Sequence, residues 1–142
     1  MRAVLVQKTG GPEVLVVQDL PTPEPGPGEL RVDVAAAGVN YIDVYYRTGA
    51  YPLQTPFIVG SEGAGVVSAV GDGVTGFQVG DHVAWAMVPG AGYAEQVIVP
   101  AGRAVPVHPD RGPCGWGGTS ARGRGESPPA SPQVRAPRLQ LP

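Results

Sequence analysis

The chain has 142 residues, a formal net charge of −2 and one cysteine, with 22 glycines and 17 prolines. This length favours one domain with a usable core, and the charge gives no basic face for nucleic acid. A lone Cys114 excludes an internal disulfide and suits a reducing compartment, and no apolar run reaches membrane-spanning length.

In chain order, Ala3 to Gln7 is a short apolar strand, followed by a turn at Gly10-Gly11-Pro12. Val14 to Gln18 is a second β-branched run, so the two predict a hairpin-like pair. Pro21 to Gly28 is a stiff connector, because its prolines and glycines cannot continue a regular element. Glu29 to Ala36 alternates Leu30, Val32 and Val34 with Arg31, Asp33 and Ala35, the period of a half-buried strand. After Val39 the chain turns at Asn40 into a short helix over YIDVYYR, which Gly49 can end in left-handed geometry. Pro52 and Pro56 then force extended backbone, and Phe57-Ile58-Val59 feeds a turn at Gly60-Ser61-Glu62-Gly63. Ala64 to Val70 is nearly all apolar and is expected to be buried on both faces. Asp72-Gly73 and Gly80-Asp81 are turns, His82 to Met87 is a strand, and Tyr93 to Val99 is a last strand closed by Pro100. Many short strands, frequent turns and one or two short helices predict a mainly β, barrel-like domain.

The character changes near Asp110. Residues 1–110 hold five Lys/Arg against eleven Asp/Glu, whereas residues 111–142 hold five Arg against one Glu. Of the last 32 residues, 20 are Arg, Gly, Pro or Ser, and such composition cannot offset its ordering entropy. The expectation is a disordered tail over 110–142, arising from a reading-frame change near Asp110. A natural Arg/Gly-rich interaction tail is the alternative. The start lacks a signal peptide's pattern, so a soluble cytoplasmic protein is the default expectation.

Five segments in order carry a family resemblance: GGPEVL from Gly10, AAGVNYIDVYYRTGAYP around Asn40, PFIVGSEGAGVVSAVG from Pro56, VGDGVTGFQVGDHV from Val70 and GAGYAEQVIVP from Gly90. Over residues 1–109 the chain resembles the N-terminal part of a zinc-free medium-chain dehydrogenase/reductase, of the quinone oxidoreductase (zeta-crystallin-like) branch. The resemblance implies a GroES-like, partly open β-barrel serving as the catalytic domain. It also implies NADPH as cofactor, a quinone or enone as acceptor, and a homodimer. The family's Rossmann domain and the C-terminal segments that complete its barrel have no counterpart in this sequence. An uncovered sheet edge and self-association are therefore expected.

Zinc relatives place cysteine where Asn40 stands and a Gly-His-Glu turn where Gly60-Ser61-Glu62 stands. With His82 and His108 far apart and no thiol near, the ligand set for zinc is missing. Glu62 then reads as a structural turn residue and His82 as a strand residue. Asn40 can cap the following helix, and the resemblance implies that its amide also reaches nicotinamide or substrate. Asp43 lies in the first helical turn, where the dipole favours a carboxylate, so alone it reads as structural. The resemblance places Asp43 with Asn40 and Tyr45 on the cofactor side, and Tyr51 with Asn40 as the catalytic pair. Tyrosines of a small barrel otherwise serve as core or rim packing, which is the reading of Tyr46. Gly63-Ala64-Gly65 is no dinucleotide fingerprint, because it runs into a strand rather than opening a helix, and Gly115-Trp116-Gly117-Gly118 sits among breakers.

Three functions follow. One is the catalytic domain of an NADPH-dependent quinone or enone reductase, truncated and inactive alone. Another zinc-free reductase, acting on enoyl thioesters, is the second. A stand-alone barrel acting as a binding or co-chaperonin-like module is the third; it predicts ring assembly, and the tyrosine-rich helix argues against it.

Overall fold

The computed structural model describes residues 1–107. The expectations for the tail, including His108 and Cys114, lie outside the described residues. Eight strands and one α-helix follow in the order β1 (Arg2–Val6), β2 (Leu15–Asp19), β3 (Glu29–Ala37), α1 (Tyr41–Thr48), β4 (Phe57–Ile58), β5 (Gly63–Val70), β6 (His82–Trp85), β7 (Gln96–Pro100) and β8 (Ala104–Pro106). A 3-10 turn at Pro12–Val14 precedes β2 and another at Ala101–Arg103 precedes β8.

The strands form two sheets, a three-stranded one ordered β2-β1-β4 and a five-stranded one ordered β7-β3-β5-β6-β8. All pairings are antiparallel, and the β3–β5 ladder is broken by register shifts at Arg31/Val32 and Val34/Ala36. Such shifts bend the strand and increase its twist, which curls the larger sheet into a partly open barrel. This is the mainly β, barrel-like architecture that the turn-rich sequence predicts and the partly open form that the family resemblance implies. Among the described residues β7 and β8 each pair on one side only, so the barrel stays open between them.

The larger core lies inside the curled sheet. Leu30 and Val32 of β3, Val67 of β5, Val83 and Trp85 of β6, and Val97 and Val99 of β7 are buried there. Burying each such side chain contributes roughly 1.5–3 kcal/mol. A smaller cluster of Val6, Val14 and Val59 holds the first sheet together. Gly63 admits the Trp85 ring, since a Cβ there would lie 2.6 Å from its Cζ2. The Gly63 and Gly65 pair thus serves close packing inside β5 rather than a phosphate.

Three sequence expectations are corrected. β5 is buried at Ala64, Gly65 and Val67, but Val66, Ser68, Ala69 and Val70 are half-buried, because only one face of the sheet packs against the core. β6 ends at Trp85 rather than Met87, since Met87 adopts φ 58 and leaves the strand path. The last long strand starts at Gln96 rather than Tyr93, because residues 93–95 change partners. Tyr93 accepts from the Val4 N–H (2.8 Å) and Glu95 donates to the Arg2 carbonyl (3.0 Å), whereas β7 pairs with β3. The segment joins the two sheets, and Glu95 locks it through the Arg2 backbone N–H and guanidinium, both at 2.8 Å. The 3-10 turn before β2 and strand β8 went unforeseen.

A tight clasp forms where Gly60 passes Gly92. Gly60 has φ 95, and a Cβ on it would lie 2.7 Å from the Gly92 Cα and 2.9 Å from the Tyr93 ring. Gly73 has φ 74 but faces open space. Both Gly60→Ala and Gly73→Ala incur left-handed strain of about 1–2 kcal/mol. Only Gly60→Ala adds backbone overlap, so urea denaturation is expected to show it losing about 3 kcal/mol or more, against about 1 for Gly73→Ala. Equal losses would contradict the clasp.

Candidate functional site

Helix α1 is short and amphipathic, and both its ends are set by local chemistry. Asn40 takes the N-cap with extended backbone at φ −120 and ψ 152, in an Asn-x-x-Asp capping box. Its backbone N–H donates to Asp43 Oδ2 at 2.9 Å, and the Asp43 N–H donates back to the Asn40 carbonyl at 3.1 Å. Gly49 closes the helix in left-handed geometry at φ 84, its N–H donating to the Tyr46 carbonyl. Arg47 in the last turn and Asp43 in the first both complement the helix dipole.

Asp43 is only 5% exposed, and both carboxylate oxygens are engaged. Oδ1 accepts from the Ser61 hydroxyl at 2.8 Å; besides the Asn40 N–H, Oδ2 accepts from the Tyr93 hydroxyl at 3.3 Å. Ser61 itself is 2% exposed. One carboxylate thereby binds the start of α1, the turn between β4 and β5, and the segment that joins the sheets. Backbone bonds reinforce the same point: Val88 donates to the Ser61 carbonyl (2.9 Å), Gly90 to Gly60 (3.0 Å) and Tyr93 to Val59 (2.8 Å). Burial foremost, and then the negative charge of Asp43 and its hydrogen bond, with a smaller effect of Glu62, push the Tyr93 phenol up to about 12.

The opposite side of α1 is aromatic and open. Tyr41 and Tyr45 lie one turn apart with ring centroids at 6.2 Å, and Tyr45 meets Tyr51 edge-on at 5.4 Å. Tyr46 reaches the other side of Tyr51 at 6.3 Å. Tyr51 is placed by its own N–H, which donates to the Tyr45 carbonyl at 3.2 Å. Tyr41, Tyr45 and Tyr51 are exposed, Tyr41 by 80%, while Tyr46 is half-buried. These rings form an exposed aromatic patch beside the cap rather than core packing.

Of the residues singled out from sequence, Asn40 and Asp43 are joined by a hydrogen bond, and Tyr45 and Tyr51 by ring contact. Asp43 faces into the protein and the tyrosines face out. Glu62 is half-buried beside Gly38, whose N–H donates to the Glu62 carbonyl at 3.3 Å. Among the described residues no group of three or more His, Cys, Asp or Glu side chains could hold a metal ion. Nor is any helix there long and apolar enough to cross a membrane. Sequence reasoning missed Ser61 and Tyr93 as partners of Asp43. They lie 18 and 50 residues away along the chain, and only the fold brings them in.

The raised Tyr93 value has a definite consequence for pH. A phenol whose folded value exceeds its ordinary 10.0 favours the folded state below pH 10. That contribution is lost as pH rises through about 12. A spectrophotometric tyrosine titration is expected to show one phenol ionising near 12, with Asp43→Asn lowering that value. The same substitution leaves the buried Ser61 and Asn40 donors with a weaker acceptor and is expected to cost about 2–3 kcal/mol. A titration unchanged by Asp43→Asn would contradict the contact.

Comparison with known proteins agrees with this geometry. The profile of the alcohol dehydrogenase GroES-like domain matches residues 26–109. A quinone oxidoreductase of Pseudomonas aeruginosa is 55% identical over 87 residues, covering 61% of this chain and 27% of that protein. A 2-haloacrylate reductase of Burkholderia is 38% identical over 112 residues, covering 76% and 34%. Among solved structures, the Escherichia coli quinone oxidoreductase complexed with NADPH superposes with a TM-score of 0.72 at 32% identity, over 78% of this chain and 34% of that one. The chain thus spans about a third or less of the length of these relatives. With more than half of its residues inside the matched profile, the chain belongs to the alcohol dehydrogenase GroES-like domain family and, within it, to the quinone oxidoreductase branch of the medium-chain dehydrogenases/reductases.

Proposed function

We propose that residues 1–109 are the acceptor-side catalytic domain of an NADPH-dependent oxidoreductase that reduces a quinone or an activated alkene. The observation that carries this reading is the exposed row of Tyr41, Tyr45 and Tyr51 beside an Asn40 cap that a buried carboxylate holds in place. The chemistry that NADPH supplies when bound is hydride donation from its dihydronicotinamide ring. The residues present fit that ring but not the pyrophosphate. Open aromatic edges and the Asn40 amide suit a flat polar heterocycle, whereas Gly63 and Gly65 are spent on packing within β5. Phosphate binding therefore belongs to a Rossmann domain outside these 142 residues.

Within this reading, Tyr45 and Asn40 line the nicotinamide side. Asp43 belongs to the cofactor side at one remove, by holding the Asn40 backbone. Tyr51 Oη and the Asn40 amide donate hydrogen bonds to the acceptor oxygen on which negative charge develops, the work that a metal ion does elsewhere. A full-length homodimer is part of the same proposal. The alkene option is supported by the similarity to a 2-haloacrylate reductase. A flat, conjugated acceptor is common to both options.

Hydrogen bonds worth about 1 kcal/mol each cannot offset the several kcal/mol that association costs. Fluorescence titration is therefore expected to show no saturable NADPH binding by the 142-residue chain at micromolar concentrations. A chain continued past Pro109 into a Rossmann domain is expected to bind NADPH and reduce quinones. In that form Tyr51→Phe and Asn40→Ala are expected to lower kcat about tenfold or more while changing the KM for NADPH less than about threefold. Saturable micromolar binding by the 142-residue chain, or full turnover in both variants, would overturn the assignment.

A further inference from the structure

We propose that β2 is an interface between two copies of the chain, joined as an antiparallel β2–β2 pair about a twofold axis at Val17. Among the described residues four strands lie at sheet edges, and three of them carry a feature that discourages pairing. β4 is two residues long, β7 ends in Pro100, and β8 is three residues long and ends in Pro106. Short length and proline keep an edge from joining a neighbour. β2 (LVVQD) has neither: it runs for five residues and presents Leu15, Val16 and Val17 at 37%, 42% and 59% exposure.

The bonds made by β1 show which backbone groups of β2 point outward. Val4 spends its N–H on the Tyr93 carbonyl (2.8 Å), and its own carbonyl accepts from the Val59 N–H (3.0 Å). The Arg2 N–H likewise goes to Glu95 Oε2 (2.8 Å), and its carbonyl accepts from the Glu95 N–H (3.0 Å). Val4 and Arg2 stand opposite Val17 and Asp19 in the ladder. Opposite residues of an antiparallel ladder alternate between bonded and non-bonded pairs, so Val17 and Asp19 direct their N–H and C=O away from β1. Leu15 shares their phase; its N–H turns to the Pro12 carbonyl, which leaves its C=O outward.

A second copy laid antiparallel with Val17 opposite Val17 overlaps all five residues and meets these groups. The two Val17 residues exchange both bonds on the axis, and each Asp19 N–H meets a Leu15 carbonyl of the other copy. Leu15 and Val17 project on one face, so the two copies make a continuous apolar strip. The charges agree as well. Asp19 is the one charged residue of β2 and lies opposite Leu15. The two Asp19 carboxylates stand about 14 Å apart along the pair, beyond the ~8 Å screening length at physiological salt. Such a contact is isologous and closes at two copies. A strand pair this short buries less than the roughly 1,200 Å² of a stable interface, so the dimer is weak, forming at about 100 μM.

Sedimentation velocity of the 142-residue chain from about 10 to 500 μM is expected to show monomer passing into dimer and nothing larger. Over the same range, amide exchange at Val17 and Asp19 is expected to slow about twofold or more, while Val32, Val67 and Val83 hold. Val17→Lys and Val17→Glu each set like charges face to face on the axis, at an exposed site where the fold tolerates them. Each is expected to weaken the dimer about tenfold or more, and an equal mixture of the two to restore it, because lysine then faces glutamate. Four results would overturn the interface. These are a wild-type chain that stays monomeric, wild-type species larger than a dimer, a mixture that stays monomeric, and dimers that persist in both single variants. The last would place the contact on the open β7–β8 side or on residues 108–142 instead.

Discussion

The buried carboxylate of Asp43 is the interaction on which the candidate site depends. Its two oxygens collect a backbone N–H from the helix start, a serine hydroxyl from one turn and a tyrosine hydroxyl from a segment 50 residues away. Removing a charge of this kind from water is costly unless every lone pair finds a donor, and here three donors converge. The arrangement converts a local helix cap into a tertiary joint. Without it α1 would be fixed only by its packing and by a few backbone bonds, and the cap residue Asn40 would have no long-range anchor.

That joint also separates two kinds of surface on one short helix. The inner side presents the Asp43 carboxylate with both oxygens paired, whereas the outer side presents exposed aromatic rings that touch each other. A rigid inner anchor and an open outer wall are what a site needs if another body closes over it. The partly open barrel gives the wall a stable base. Its curvature comes from the shifts in the β3–β5 ladder, and Gly63 leaves room beside it for the Trp85 ring.

Much of this was legible in the sequence, for reasons that differ by residue. The alternation in Glu29–Ala37 and the left-handed Gly49 and Gly73 are written in local periodicity and turn chemistry, and the structure keeps them. Asn40 and Asp43 are three residues apart, the spacing of a capping box, so their mutual contact was also readable. The Ser61 and Tyr93 contacts were not, because no local pattern encodes a partner 18 or 50 residues distant. The boundary errors share one cause. Residues 86–87 and 93–95 read as strand ends by composition, yet Met87 turns the backbone left-handed and residues 93–95 switch sheets. Both effects are tertiary demands that override propensity.

Amide hydrogen exchange mapped residue by residue tests the central claim most directly, by comparing the wild-type chain with Asp43→Ala. If the carboxylate joins the three segments, exchange at Asn40 and at Val88, Gly90 and Tyr93 quickens by about tenfold or more, the equivalent of about 1.4 kcal/mol. Amides of Val32, Val67 and Val83 in the core would then change far less. A uniform acceleration across both groups, or protection at Asn40 equal to that of the wild type, would contradict the account.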